Sequence, residues 1–133
     1  MIKEIGEKII ELLQSDENLS FDWYFEPPVR AKAFPYGFVD YAGGAFERKT
    51  SGGATYNWTY YIVIVDRKRS DTDNIEKAVM DRVEKAMDIL RSNPSLDGLA
   101  FDSEVSAVEG DYAMVDGNYM IGSRLTLRVR VWK

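Results

Sequence analysis

The 133-residue sequence contains no cysteine and no histidine. Without thiols there is no disulfide, no thiolate zinc site and no cysteine nucleophile. Without imidazole there is no Ser-His or Cys-His pair, and no side chain that shuttles protons near neutral pH. A basic excess is missing too: 17 Lys and Arg stand against 22 Asp and Glu, a net charge of -5. Proteins that grip nucleic acid neutralise phosphates with basic side chains, so this balance argues against tight DNA binding. It still permits a surface past which DNA slides without sticking. Long hydrophobic runs are absent; the longest, around residues 60–65, falls far short of the roughly 20 residues that span a bilayer. No signal-peptide pattern opens the chain. The expectation is a protein without a membrane segment, working inside the cell or in a particle assembled there.

What is present reads as globular. Hydrophobic residues make up 45% and include 6 Phe, 8 Tyr and 3 Trp, enough for a packed core in one domain over residues 1–133. Ile2, Ile5, Ile9, Leu12 and Leu13 recur at helical spacing, which predicts an amphipathic helix over 2–14, with Glu4 and Lys8 as an i,i+4 pair. Ser20 to Phe25 is strand-like and stops at Pro27-Pro28. Residues 36–41 and 56–65 form an antiparallel hairpin across a long connector, Gly43 to Gly53. Such a connector either has a task beyond reversing the chain or is disordered. In the second strand Tyr56, Trp58, Tyr60, Ile62 and Ile64 share one face, and Tyr61, Val63 and Val65 share the other, so its later half looks buried on both sides.

Ser70 to Asp73 offers several helix caps, and Ile75, Val79, Val83, Met87 and Leu90, with Ala86 beside them, predict a helix over 73–91 that Asn93-Pro94 ends. Asp81 and Lys85 are spaced as another i,i+4 pair. Past an Asp97-Gly98 turn, two strands follow, 99–108 and 119–132, with Asp116-Gly117 as their turn signal. The whole order predicts an α+β fold with a mostly antiparallel sheet, a long β-hairpin and two helices packed on the sheet.

No constellation carries catalysis. Asp66, Asp71, Asp73 and Asn74 have oxygen ligands, but they lack the glycine and terminal glutamate of a calcium loop, and helix capping accounts for them. Glu104 and Glu109 fall on opposite faces of a strand by simple parity, which separates them as a carboxylate pair. No dinucleotide or phosphate-loop pattern occurs among the glycines. The expected catalytic, metal and cofactor residues are therefore none. The candidate binding residues are Phe46, Arg48 and Lys49 in the connector, Trp58 and Tyr60 on the strand after it, and Arg124 and Arg128 on the last strand. Arg124, Arg128 and Arg130 form a basic stripe, explained either by cross-strand pairing with Asp102 and Glu104 or by contact with an acidic subunit. If both helices cover one sheet face, aromatic and aliphatic groups on the other are left for a protein partner; if each helix covers one face, they are core.

The element order, together with Tyr56-Asn57-Trp58-Thr59-Tyr60-Tyr61-Ile62-Val63-Ile64-Val65, Asp73-Asn74-Ile75-Glu76, Ser106-Ala107-Val108-Glu109 and Arg124-Leu125-Thr126-Leu127-Arg128-Val129, resembles the tail terminator, or tail completion, proteins of long-tailed bacteriophages. Head–tail joining proteins share a similar fold. The resemblance implies a non-enzymatic virion protein, assembled in the host cytoplasm. It would form a homo-oligomeric, hexameric ring that caps the tail tube, ends its polymerisation and offers the head-docking surface. The implied partners are further copies of the chain, tail-tube and head-connector proteins, and DNA that passes without sequence-specific contact. The competing expectation is a cellular α+β module, as a monomer or a dimer, that binds a protein or small ligand.

Overall fold

Strict alternation makes the last strand the spine of the sheet: Ile121, Leu125, Leu127, Val129 and Val131 are buried, while Arg128 and Arg130 between them are exposed. The computed structural model describes residues 1–50, 53–70, 74–115 and 118–132, without the side chains of 46–50, 111–115 and 118. Helix α1 spans Ile2–Gln14, β1 Asp22–Tyr24, β2 Tyr36–Thr50, β3 Gly53–Arg67, α2 Ile75–Arg91, β4 Asp102–Val115 and β5 Asn118–Trp132. The five strands lie in the order β1-β2-β3-β5-β4, antiparallel except for the short parallel pairing of β1 with β2. The fold is the expected α+β one.

Both helices cover the same face. Ile5, Ile9 and Leu13 of α1 and Val79, Val83, Ala86 and Leu90 of α2 join Tyr60, Ile62, Ile64, Leu125, Leu127 and Val129 in one core. The spacing 79, 83, 86, 90 follows the 3.6-residue turn, so Ala86 takes the buried position and Met87 sits at the margin. The face of β3 bearing Tyr61, Val63 and Val65 is consequently only half-buried, not buried on both sides as its composition had indicated.

The connector differs most from expectation. Strand pairing runs on through it, from Ala45 opposite Asn57 to Thr50 opposite Gly53, leaving only 51–52 outside the described residues. The backbone of β3 supplies hydrogen-bond partners that override the weak strand preference of glycine. A register shift between Tyr41 and Gly44 absorbs the irregularity, and Gly43 has φ +97 there, a conformation open to glycine.

Capping and ion pairs were also redistributed by tertiary packing. The cap of α2 is Asn74, without a side-chain cap bond; Asp71 and Asp73, two of the expected capping residues, lie outside the described residues. Lys85 reaches Asp16 at 3.6 Å, and Lys8 reaches Glu11 and Asp97 at 3.0 and 3.3 Å instead of Glu4. Asp66 is 2% exposed and anchors α2 to β3: its carboxylate accepts from Arg82 at 2.9 Å and from the Arg67 backbone N–H at 2.8 Å.

At the sheet edge, Trp23 of β1 lies flat over Gly37. A Cβ there would stand 2.5 Å from the indole. Gly37→Ala is expected to displace the ring and cost about 1–3 kcal/mol, as overpacking does; urea unfolding monitored by Trp fluorescence measures it.

Candidate functional site

The face without helices is where this chain can meet something else. Because β2 and β3 pair Tyr36 with Val65 and Phe38 with Val63, these four side chains share that face. Tyr24 joins them through its register with Phe38, and Phe34 lies edge-on to Tyr36 at 5.4 Å. Tyr24 and Tyr36 meet edge-on at 6.0 Å, and Tyr36 stacks towards Phe38 at 6.5 Å. Burial first, and then the neighbouring Tyr24, push the Tyr36 phenol upward, which keeps it neutral and apolar in character. Arginines frame the patch: Arg67 covers the Phe34 ring at 4.9 Å and Arg124 the Tyr61 ring at 4.2 Å. The result is a half-buried aromatic and aliphatic strip rimmed by guanidinium groups. Its chemistry suits a protein surface, since aromatic and arginine side chains are enriched where proteins meet.

Further along the same face the character turns polar. Register places Arg130 opposite Asp102, Arg128 opposite Glu104 and Arg124 opposite Glu109. Glu104 and Glu109 therefore share a face, contrary to the parity reading. A bulge between Val105 and Ala107 inserts one residue and resets the alternation. They oppose positions four residues apart on β5, roughly 13 Å at strand spacing, which is too far for a paired-carboxylate mechanism. Asn57, Thr59, Asp102, Glu104, Arg128 and Arg130 line a shallow groove of about 450 Å³, with Gly44 and Ala45 on its rim. Among the described residues no group of acidic side chains is arranged to hold a metal ion, and no helix is long and apolar enough to cross a membrane.

The seven binding candidates separate into three groups. Arg124 and Arg128 lie on the open face. Arg124 is committed, donating to Glu109 at 2.7 Å while covering Tyr61; Arg128 is exposed and makes no ion pair among the described residues. Cross-strand pairing thus accounts for Arg124, with Glu109 as the partner in place of Asp102 or Glu104. Trp58 and Tyr60 stand on the helix-bearing face. Trp58 is half-buried, stacked on Tyr56 at 5.2 Å, and its indole N–H has no acceptor among the described residues. Tyr60 is 1% exposed, and its hydroxyl donates to the Ile2 carbonyl at 2.7 Å, tying α1 to the sheet. Phe46, Arg48 and Lys49 fall on β2, but their side chains lie outside the described residues. Tyr36 and Phe38 had not been singled out as binding residues, and Val63 and Val65 stood only as one of two alternatives, core or contact face. Their signal was the in-phase alternation of two paired strands, which becomes informative only once the helix positions are known.

Tyr60 carries a pH prediction. Burial, and after it Tyr41, raise its phenol above the ordinary value. The folded chain therefore keeps a proton that the unfolded chain releases near pH 10, so this contribution is complete below about pH 10 and declines as pH rises further. Tyr60→Phe is expected to cost about 1 kcal/mol at pH 7 through the lost hydrogen bond. It should also lose less stability than the parent above pH 10, as urea titrations at the two pH values would reveal.

No protein-family model matches the chain, and no curated protein matches its sequence. Solved structures do resemble it. A chain in the virion of a native gene transfer agent particle superposes with a TM-score of 0.61 at 13% identity, over 94% of this chain and 92% of that one. A second solved chain superposes with a TM-score of 0.55 at 11% identity, over 96% of this chain and 93% of that one. At these identities the likeness is one of fold, and it extends over nearly the full length of all three chains.

Proposed function

We propose that this chain is a structural protein of a phage-like particle, and more specifically a tail terminator: a homo-oligomeric ring that closes the tail tube and receives the head. The observation that carries the reading is the near full-length likeness in fold to a chain of a gene transfer agent virion. The open sheet face supports it, because a subunit of an assembly needs a surface that folding leaves unfilled, and the strip from Tyr24 to Val65 is such a surface. The formal charge of -5 suits a channel through which DNA passes without adhering. The phage particle is then its location, and tail-tube and head-connector proteins are its partners.

The test is removal of the gene from the cell that produces the particle. Tails of uncontrolled length and unjoined heads are expected, and a plasmid copy should restore whole particles. Normal particles without the chain would overturn the terminator reading. Light scattering on the purified chain adds an independent measure: six times 15.2 kDa is the expected ring mass, whereas a stable dimer would favour a binding module.

A further inference from the structure

The sheet ends in two unlike edges, and among the described residues both are open. On one side no strand of the described residues lies beyond β4 along its 14 residues. On the other, β1 covers β2 only from Tyr36 to Phe38, so residues 39–50 of β2 have no neighbour on that side among the described residues. Asp102, Glu104, Ser106, Val108, Glu109 and Gly110 are exposed on β4, as are Tyr41, Ala42, Gly44 and Ala45 on β2. Neither strand contains proline, one of several means of blocking an edge, and each is interrupted by an internal register shift, at Tyr41/Gly44 in β2 and Val105/Ala107 in β4. Rows of unpaired N–H and C=O groups of this length are templates for another strand.

We infer that copies of this chain join head to tail, with β4 of one subunit pairing antiparallel with residues 39–50 of β2 in the next. Strand direction decides the sense. Taking β2 as up, β3 runs down, β5 up and β4 down. Two copies in the same orientation, set side by side, therefore bring a downward β4 beside an upward β2. The junction repeats the antiparallel pattern of the rest of the sheet and keeps every helix on one side. Because the two edges differ, the contact is heterologous, and it closes into a ring if the rotation per subunit permits. Composition favours unlike over like edges: β4 carries Asp102, Glu104, Glu109 and Asp111 and no basic residue, so two β4 edges would set carboxylates against each other. The β2 edge balances Asp40 and Glu47 with Arg48 and Lys49, so it lacks the acidic excess of β4. Closure of the ring rests on the terminator reading; the edge pairing itself does not.

The absence of cysteine makes the test direct. Asp40 and Ala45 of β2, and Glu104 and Ala107 of β4, all fall on the helix-free face by register. Each of Glu104→Cys and Ala107→Cys is combined with each of Asp40→Cys and Ala45→Cys, and the full-length proteins are oxidised. At least one double variant should give a ladder beyond dimer on a non-reducing gel, while every single variant stays monomeric. Hydrogen exchange of the parent should slow roughly tenfold or more in both edges on assembly, and not in β3 or β5. Dimers from Glu104→Cys alone would overturn the proposal in favour of like-edge pairing. An oligomer by light scattering with no ladder and only one protected edge would overturn the edge pairing while leaving the ring reading intact. A chain monomeric at every concentration, with both edges exchanging freely, would overturn the pairing as a property of this chain; the gene-removal result would still decide the terminator reading.

Discussion

Arg82→Ala is expected to lower the unfolding free energy by about 3 kcal/mol. The magnitude is that of breaking a buried pair by removing one partner, about 3–5 kcal/mol, taken at its lower end. Asp66 lies on the helix-bearing face of β3, 2% exposed, and holds the Arg82 guanidinium of α2 at 2.9 Å. Without that group its carboxylate keeps the Arg67 N–H at 2.8 Å and a longer contact with the half-exposed Arg69 at 3.3 Å, which is why the lower figure applies. The reverse comparison isolates the cause. The double variant Asp66→Leu, Arg82→Met removes both charges together and should recover most of the loss, because a buried pair gives little net stability over an apolar replacement. Urea unfolding of the three proteins measures both effects; an Arg82→Ala protein as stable as the parent would mean that Asp66 is solvated and the pair structurally idle.

Phe38→Glu is expected to leave the monomer folded and to weaken assembly by roughly 30-fold or more, the equivalent of about 2 kcal/mol at an interface centre. Phe38 stands in the middle of the open strip, opposite Val63 in β3 and Tyr24 in β1. Its face is half-buried in the subunit, so a carboxylate there stays hydrated until a partner covers it. Burial of that charge is then the cost the assembled state must meet. Met80→Glu is the control: Met80 is 58% exposed on α2, on the other side of the molecule. Light scattering against concentration should separate the two variants, while both keep the parent's circular dichroism. Equal assembly of the Phe38→Glu protein and the parent would remove the open strip from the contact surface.

Local patterns were legible in the sequence wherever one element alone determines them. The stripe through Ile5, Ile9 and Leu13, the stripe through Val79, Val83 and Leu90, and the alternation from Ile121 to Val131 each follow from the period of the backbone. They specify two helices, a hairpin and a closing strand pair before any contact is known. The same period misled where the backbone was irregular. One inserted residue at the Val105–Ala107 bulge moved Glu109 to the face of Glu104, and strand parity has no means of registering an insertion that the neighbouring strand defines.

Tertiary structure decided the rest. A connector rich in glycine became strand because β3 was present to pair with it. Lys85 pairs with Asp16 in place of Asp81, and Lys8 with Glu11 and Asp97 in place of Glu4, because exposed i,i+4 pairs are worth only tenths of a kcal/mol and yield to whatever carboxylate comes within reach. Above all, β3 carries apolar groups on both sides, and its sequence is compatible with a helix over each. Only the packing of α1 against α2 placed both on the side of Tyr60, Ile62 and Ile64, leaving Tyr61, Val63 and Val65 on the face that folding does not cover. The sequence by itself determined which residues can be buried, since that follows from local periodicity. Which of them remain for a partner was decided by contacts between elements far apart in the chain, and no local pattern encodes those.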